Sequence, residues 1–260
     1  MANQHYCKIC QHSVQPIHTI NTITYYRCSH CKFLQNYYWE EQPPDPEKMI
    51  EINKNWLTKH WLPGDTDHDY AKGWEILQLI AWPPAWYARQ LNNRLRHIGL
   101  YETLMRRHLK QKLGRLIDFG CGYGTVLKEL VHRDHINITG IDPYAPHPDE
   151  HVHKTDIFNA NIPQASLDAI FSIETLEHII DPLAVFDRFH QLLKPGGILL
   201  IQTRRQEDPE YQAKQADWFY LKDPQTHISI YSITTMQEIA RRTGWKKVQF
   251  KGAKYARFQK

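Results

Sequence analysis

The sequence predicts an α/β protein: a mostly parallel sheet with helices on both faces, preceded by a helical segment and a small cysteine-rich module. Three observations carry that expectation. From residue 115 onward, short apolar runs alternate with helical stretches, the pattern of a parallel sheet covered on both sides. Residues 47 to 113 keep apolar positions at helical spacing. Four of the five cysteines form two C-x2-C pairs within the first 31 residues.

In chain order, "CKIC" (Cys7, Cys10) and "CSHC" (Cys28, Cys31) stand seventeen residues apart. Each pair turns two thiolates toward one point, and two pairs complete a tetrahedral zinc shell with no open position, so the site is structural rather than catalytic. Two disulfides or a redox dithiol are the competing reading, disfavoured without a secretory signal. His12 and His30 are taken as neighbours of the site, not ligands. With strand-like "TITYYRC" between the pairs, residues 1–42 read as a zinc ribbon whose folding free energy comes mostly from the metal. Pro43, Pro44 and Pro46 mark a stiff linker. Residues 43–114 then read as linker and helices, with Met49, Ile52 and Trp56 on one face and Tyr70, Trp74 and Leu77 on another. Five of the eight tryptophans lie there, read first as helix packing and second as a cover that shapes substrate choice.

Residues 115–260 carry the sheet. "RLIDF", "NITGID", "LDAIFSI" and "GILLIQT" read as strands, and "TVLKELVH" and "PLAVFDRFHQLL" as helices. Asp181 with Pro182 caps the second of these. A last helix, "TTMQEIARRTGW", precedes two runs, "KKVQF" and "KYARF", that suit an antiparallel hairpin at the sheet edge.

Composition bounds the function. The chain has 260 residues, 42% hydrophobic and 23% charged, as an ordinary globular protein does. No stretch approaches the ~18 consecutive apolar residues of a membrane helix, so no membrane partner and a cytoplasmic location are expected. A net charge of +4, spread over scattered basic doublets, permits RNA without indicating it.

Gly120, Gly122 and Gly124 occupy the first strand-to-helix turn, where a parallel sheet opens its ligand crevice. Without Cβ atoms the turn can adopt positive φ and let a ligand rest on the backbone. The dinucleotide fingerprint needs glycine at 125, and Thr125 stands there. The order Asp118, Gly120, Gly122, Gly124 and Asp142, followed by "TDIFN", "LDAIFSIETLEHIIDP" and "LLKPGGILLIQT", resembles the class I S-adenosylmethionine-dependent methyltransferases, which have a Rossmann-like fold. The resemblance covers roughly residues 115 to 250. It implies S-adenosylmethionine as cofactor, with the glycine loop (Cys121 included) and Asp118 near its amino-acid part, Asp142 on the ribose hydroxyls, Asp156 on the adenine amino group and the backbone of Ile157 on the ring edge.

"SIETLEHIIDP" further resembles the ubiquinone-biosynthesis O-methyltransferases and, more loosely, metal-dependent small-RNA 2'-O-methyltransferases. That likeness implies catalytic roles for Glu174, Glu177 and His178, around a magnesium or manganese ion or as a metal-free base, with packing as the remaining reading. His227, in "DPQTHISIYS", is a candidate fourth ligand or second base, and Tyr231 a further candidate. The expected function is methyl transfer to a hydroxyl or amine of a small molecule. The alternatives are an RNA methyltransferase that holds nucleic acid on its ribbon, a non-catalytic binding protein on the same fold and, more weakly, an NAD oxidoreductase. Neither the acceptor nor the oligomeric state is legible.

Overall fold

The computed structural model describes residues 5–43, 114–124, 127 and 137–260. The expected helices of 47–113, and most of the helix expected after the glycine loop, lie outside the described residues.

The cysteine module opens with strands β1 (Val14–Ile20) and β2 (Ile23–Cys28), an antiparallel pair, and a short β3 (Leu34–Gln35) antiparallel to β2. Helix α1 (Tyr38–Glu41) closes it. The main sheet begins with β4 (Leu116–Phe119), β5 (Ile138–Ile141) and β6 (Val152–His153), and continues through β7 (Leu167–Ile173), helix α2 (Pro182–Leu192) and β8 (Leu193–Gln202). Helix α3 (Pro209–Lys214), strand β9 (Ser229–Ile230), helix α4 (Ile233–Arg242) and the hairpin β10 (Lys247–Lys251) with β11 (Tyr255–Gln259) follow. The strand order is β10-β11-β8-β7-β4-β5-β6. β8, β7, β4, β5 and β6 run parallel, and the hairpin is an antiparallel edge on β8.

The parallel strands are apolar on both faces, as a two-sided layer requires. Ile117, Phe119, Ile170, Leu199 and Ile201 pack into one cluster with Phe186 and Phe189 of α2 and Met236 and Ile239 of α4. Leu116, Ala169, Phe171, Ile198 and Leu200 form the cluster on the opposite face, with Leu127. Consecutive residues go to opposite faces, the period of a strand. Asp181 caps α2 through its carboxylate, which accepts from the Ala184 amide at 3.1 Å, and Pro182 occupies the first turn. "KPGG", expected only to stop α2, is an excursion at the start of β8, turned by Gly196 at φ +81°.

Strands β1, β3, β6 and β9 were not read from the sequence, and β9 matters most. β9, two residues long, leaves the main sheet and pairs antiparallel with β3, so the ribbon's sheet has the order β1-β2-β3-β9. The ribbon therefore shares its core with the main body: all four paired cysteines, Ile9 and Phe33 belong to the same buried cluster as α2, α4 and β11. Tyr25, Leu34, Trp218, Tyr220 and Ile230 make a second joint.

Helix α4 is anchored at this joint. Its N-cap Ser232 accepts from the Thr235 amide at 3.0 Å, the Thr235 hydroxyl returns to the Ser232 amide, and the same hydroxyl reaches the Cys31 carbonyl at 2.9 Å. Replacing Ser232 by alanine removes the reciprocal cap in a buried setting. Ser232→Ala is expected to cost about 1 to 2 kcal/mol, read as a lower urea midpoint at unchanged slope.

Candidate functional site

The glycine loop leaves β4 with positive φ at each of its glycines: +73° at Gly120, +55° at Gly122 and +69° at Gly124. The first two are glycine for different reasons. A Cβ on Gly120 would sit 2.2 Å from the Thr175 methyl, so the loop there is pressed against the segment after β7. A Cβ on Gly122 would meet nothing within 4 Å, because that position faces open space. Cys121 turns its sulfur back onto the sheet over Gly140, where a Cβ would lie 2.5 Å from it.

Asp142, just past β5, closes the turn. One carboxylate oxygen accepts from the Gly122 amide at 3.0 Å and the other from the Tyr144 amide at 2.7 Å. Burial nevertheless pushes its pKa up, against those hydrogen bonds. Asp118 is buried inside β4, and burial, followed by the charge of Asp142, pushes it up to about 7. The two carboxylates thus share one small region behind the loop. Asp156 follows β6 at the outer edge. Its carboxylate caps its own turn, accepting from the amides of Phe158 at 2.8 Å and Asn159 at 3.0 Å and from the Asn159 side chain at 2.6 Å. Ile157 is buried, its carbonyl takes the Arg188 guanidinium at 3.3 Å, and the neighbouring Phe158 ring is 54% exposed.

Beyond β7 the chain bends sharply. Glu174 has φ +47°, a left-handed conformation that costs a non-glycine residue on the order of 1 kcal/mol or more and gathers at functional sites. Its carboxylate meets the Tyr220 hydroxyl at 3.0 Å and the Gln202 amide at 3.3 Å. Glu177, in the 3-10 turn Leu176–His178, is fully buried. One of its oxygens takes the same Tyr220 hydroxyl and the other the Thr203 hydroxyl at 2.8 Å. A tyrosine hydroxyl has one proton, so it can donate to only one of two carboxylates. The proton count closes when Tyr220 donates to Glu177 and Glu174 is itself protonated, donating to the Tyr220 oxygen. Burial, then the charge of Glu177, pushes Glu174 up to about 7, which agrees.

His178 donates Nδ1–H to the Thr226 carbonyl at 2.7 Å, which leaves Nε2 as the lone-pair nitrogen of the neutral ring. Its side chain is 37% exposed, and burial of the remainder lowers its pKa. His227 is arranged alike: Nδ1 meets the Tyr220 carbonyl at 2.5 Å, and the ring lies 4.1 Å from the Tyr220 ring and 5.0 Å from His178. Burial drives it down to about 3. Ligand atoms of Glu177, His178 and His227 lie within 4.8 Å of one another, a carboxylate and two imidazoles that can hold a divalent cation. Glu174 is tied to this trio through Tyr220 rather than included in it. The buried Tyr231 hydroxyl is spent on the Leu176 carbonyl at 2.9 Å.

The four ribbon cysteines converge as their spacing predicts. Sulfurs of Cys7 and Cys31 and of Cys10 and Cys28 are 3.4 Å apart, and those of Cys10 and Cys31 are 3.6 Å apart. The edge of a ZnS4 tetrahedron with bonds of ~2.3 Å is ~3.8 Å, so the cluster fits zinc with a slight expansion. His12 and His30 stack on each other at 4.3 Å, beside the shell.

A protein-family model described as "Methyltransferase domain" matches residues 85–250, more than half of the chain. The chain belongs to that methyltransferase family. The expected class and sheet architecture are borne out. Relatives include the ubiquinone biosynthesis O-methyltransferases of Xylella fastidiosa (strain 9a5c), 36% identical over 104 residues, and of Psychrobacter arcticus, 29% identical over 112. These matches take in 34% and 37% of this chain and 41% and 43% of the relatives, so it spans about two fifths of their length. Among solved structures, a SAM-dependent methyltransferase from Archaeoglobus fulgidus aligns over 63% of this chain and 94% of its own, with 18% identity and a TM-score of 0.49.

Tyr220, Thr203 and Thr226 are the residues that sequence reading missed. They carry no spacing signal, because they reach the site from separate loops. In this methyltransferase the loop glycines separate two effects. Gly120→Ala should destabilise the fold by about 2 kcal/mol or more through the Thr175 clash and the φ strain. Gly122→Ala should cost about 1 kcal/mol of φ strain and weaken S-adenosylmethionine binding at least tenfold; thermal melts and calorimetric titration separate the pair.

His227 also leaves a mark on stability. Its pKa of about 3 in the fold lies below the 6.5 of a free histidine, so on acidification the unfolded chain takes up the proton first. Stability conferred by the neutral ring is complete above pH 6.5 and is lost as pH falls toward 3, by about 1.4 kcal/mol per unit. Urea unfolding of His227→Asn between pH 4.5 and 6.5 should show a pH slope shallower by about that amount.

Proposed function

We propose that this protein moves the methyl group of S-adenosylmethionine to a hydroxyl or amine of a small molecule, with His178 as the base that takes the acceptor's proton. The observation that carries the reading is the adjacency of two halves: the Gly120 carbonyl of the glycine loop accepts from the Thr175 hydroxyl at 3.5 Å, and the Thr175 carbonyl in turn accepts from the His178 amide at 3.0 Å. A cofactor in the loop would therefore lie beside the imidazole. When bound, S-adenosylmethionine supplies an activated methyl group whose transfer needs an aligned acceptor and the loss of one proton.

The chain's own residues meet both needs. Gly122 leaves room against the backbone, and the Asp142 carboxylate, held by two amides, is oriented toward the loop. The Thr226 carbonyl fixes the His178 tautomer with Nε2 free, and the lowered pKa keeps that nitrogen unprotonated at neutral pH. The buried Glu177 carboxylate stabilises the imidazolium once the proton arrives, its nearer oxygen being 4.0 Å from Nε2. The kinship with ubiquinone biosynthesis O-methyltransferases supports a hydroxyl acceptor.

A second reading has its own observation. The trio Glu177, His178 and His227 can take a divalent cation, and its two nitrogens suit manganese better than magnesium. There the ion would orient the acceptor oxygen and lower its pKa, and no free base would be needed.

With methyl-labelled S-adenosylmethionine and fractionated cell extract, label is expected in the small-molecule pool; label that nuclease treatment removes would overturn the acceptor class. His178→Gln should keep cofactor affinity and lower turnover about 100-fold or more. For the free base, turnover should persist through pH 6.5 and be lost only on further acidification, because only the neutral ring accepts a proton and burial lowers its pKa. For the metal reading, manganese should bind at a 1:1 ratio by electron paramagnetic resonance and His227→Asn should abolish that binding.

A further inference from the structure

The backbone that aims the two imidazoles is held mostly from outside the main domain. Of the successive carbonyls from Pro224 to Ile228, four are taken by the ribbon. The Asn36 side chain donates to Pro224 at 2.8 Å, the Trp39 indole to Gln225 at 2.6 Å, the Tyr25 hydroxyl to His227 at 2.6 Å and the Asn36 amide to Ile228 at 3.1 Å. The fifth, Thr226, accepts from His178. The next two residues, Ser229 and Ile230, pair as β9 with Gln35 and Leu34 of β3.

The metal shell lies directly upstream of that strand. Cys28 ends β2 and Cys31 precedes Phe33 and Leu34, with the Cys28 amide donating to the Phe33 carbonyl at 2.9 Å. The direction in which the chain leaves the second knuckle is the direction in which β3 meets β9. Tyr25 and Asn36 are buried, so no water competes for their hydrogen bonds while the ribbon is docked.

We propose that the zinc ribbon is the positioning element for His178 and His227: metal in the four-cysteine shell fixes β3, and β3 with Tyr25, Asn36 and Trp39 fixes the 224–230 backbone that sets both rings. The inference rests on the reading of these histidines as the acceptor-facing groups, and it makes zinc occupancy a condition of catalytic geometry rather than of nucleic-acid capture. Tyr25, Asn36 and Trp39 act through that backbone and are positioning residues.

The full-length protein tests it without any acceptor. Hydrogen exchange is compared in zinc-loaded and chelator-treated protein, and histidine-labelled NMR spectra are recorded for zinc-loaded wild type and Tyr25→Phe. Removal of zinc should speed exchange of the 226–230 amides at least tenfold while β4 and β7 keep their protection. Tyr25→Phe should retain one zinc per chain and wild-type S-adenosylmethionine affinity, yet shift the ring resonances of both His178 and His227. Unchanged exchange at 226–230 after zinc loss, or unchanged ring resonances in Tyr25→Phe, would overturn the proposal. Should zinc removal unfold the whole chain, the Tyr25→Phe spectra decide. Cofactor titration on the same samples keeps the two readings apart: coupled exchange in a protein that binds no S-adenosylmethionine would sink the methyl-transfer reading and leave the positioning role standing.

Discussion

Parallel strands end on a common edge, and the chemistry of this chain follows from that constraint. β4, β5, β6, β7 and β8 all run the same way, so the residues that follow them emerge side by side. The glycine loop follows β4, Asp142 follows β5, Glu174 follows β7 and Thr203 follows β8. No long-range coincidence is needed to gather an open cradle, a braced carboxylate and a buried acid. β6 lies outermost, and Asp156 beyond it caps its own turn instead of joining the hydrogen-bonded group around Tyr220. Distance from the sheet's centre separates the tightly coupled positions from the peripheral one.

That edge supplies acids, and acids crowded together must be neutralised. Asp118 beside Asp142, and Glu174 beside Glu177, would place four negative charges in a space with little water. Protonation is the resolution the structure supports: Asp118 and Glu174 are each raised to about 7, so near neutrality each carries its proton about half the time and the charge of each pair is reduced. For the second pair the hydrogen bonds around Tyr220 favour a protonated Glu174 independently, since one phenolic proton cannot serve two carboxylates. A divalent cation at Glu177, His178 and His227 would do the same work by a different charge. Because proton and cation compete for one electrostatic vacancy, metal affinity at this site must rise with pH.

The sequence announced the parts that local chemistry dictates. Two knuckles, a glycine turn and a string of strand-end acids each have a spacing imposed by the ligand or the turn, and spacing survives in one dimension. What it withheld depends on tertiary pairing. β9 is two residues long, too short for alternation to show, and it is a strand only because β3 stands opposite. Tyr220 is one aromatic among several in "WFYLK", yet its hydroxyl joins residues 43 and 46 positions earlier. His227 was legible as a candidate but not its partners, because backbone carbonyls such as those of Tyr220 and Thr226 carry no signature.

The ribbon shows why a module can look separate in sequence and not be so in space. A chain of about 40 residues has too little interior to support itself, and metal ligation is the usual remedy. Here the remedy is doubled. Ile9, Phe33 and the cysteines are buried in the core that α2, α4 and β11 also fill, so each side completes the other's apolar surface. Such sharing has a thermodynamic consequence: free energy released when the shell closes is not confined to the module that binds the metal, because the same contacts order α4 through Cys31 and Thr235 and the 224–230 backbone through β3. An independent nucleic-acid reader would gain nothing from that arrangement and would lose the freedom to reorient. A brace gains from it, since stiffness at the metal end is delivered to the carbonyls that hold the histidines.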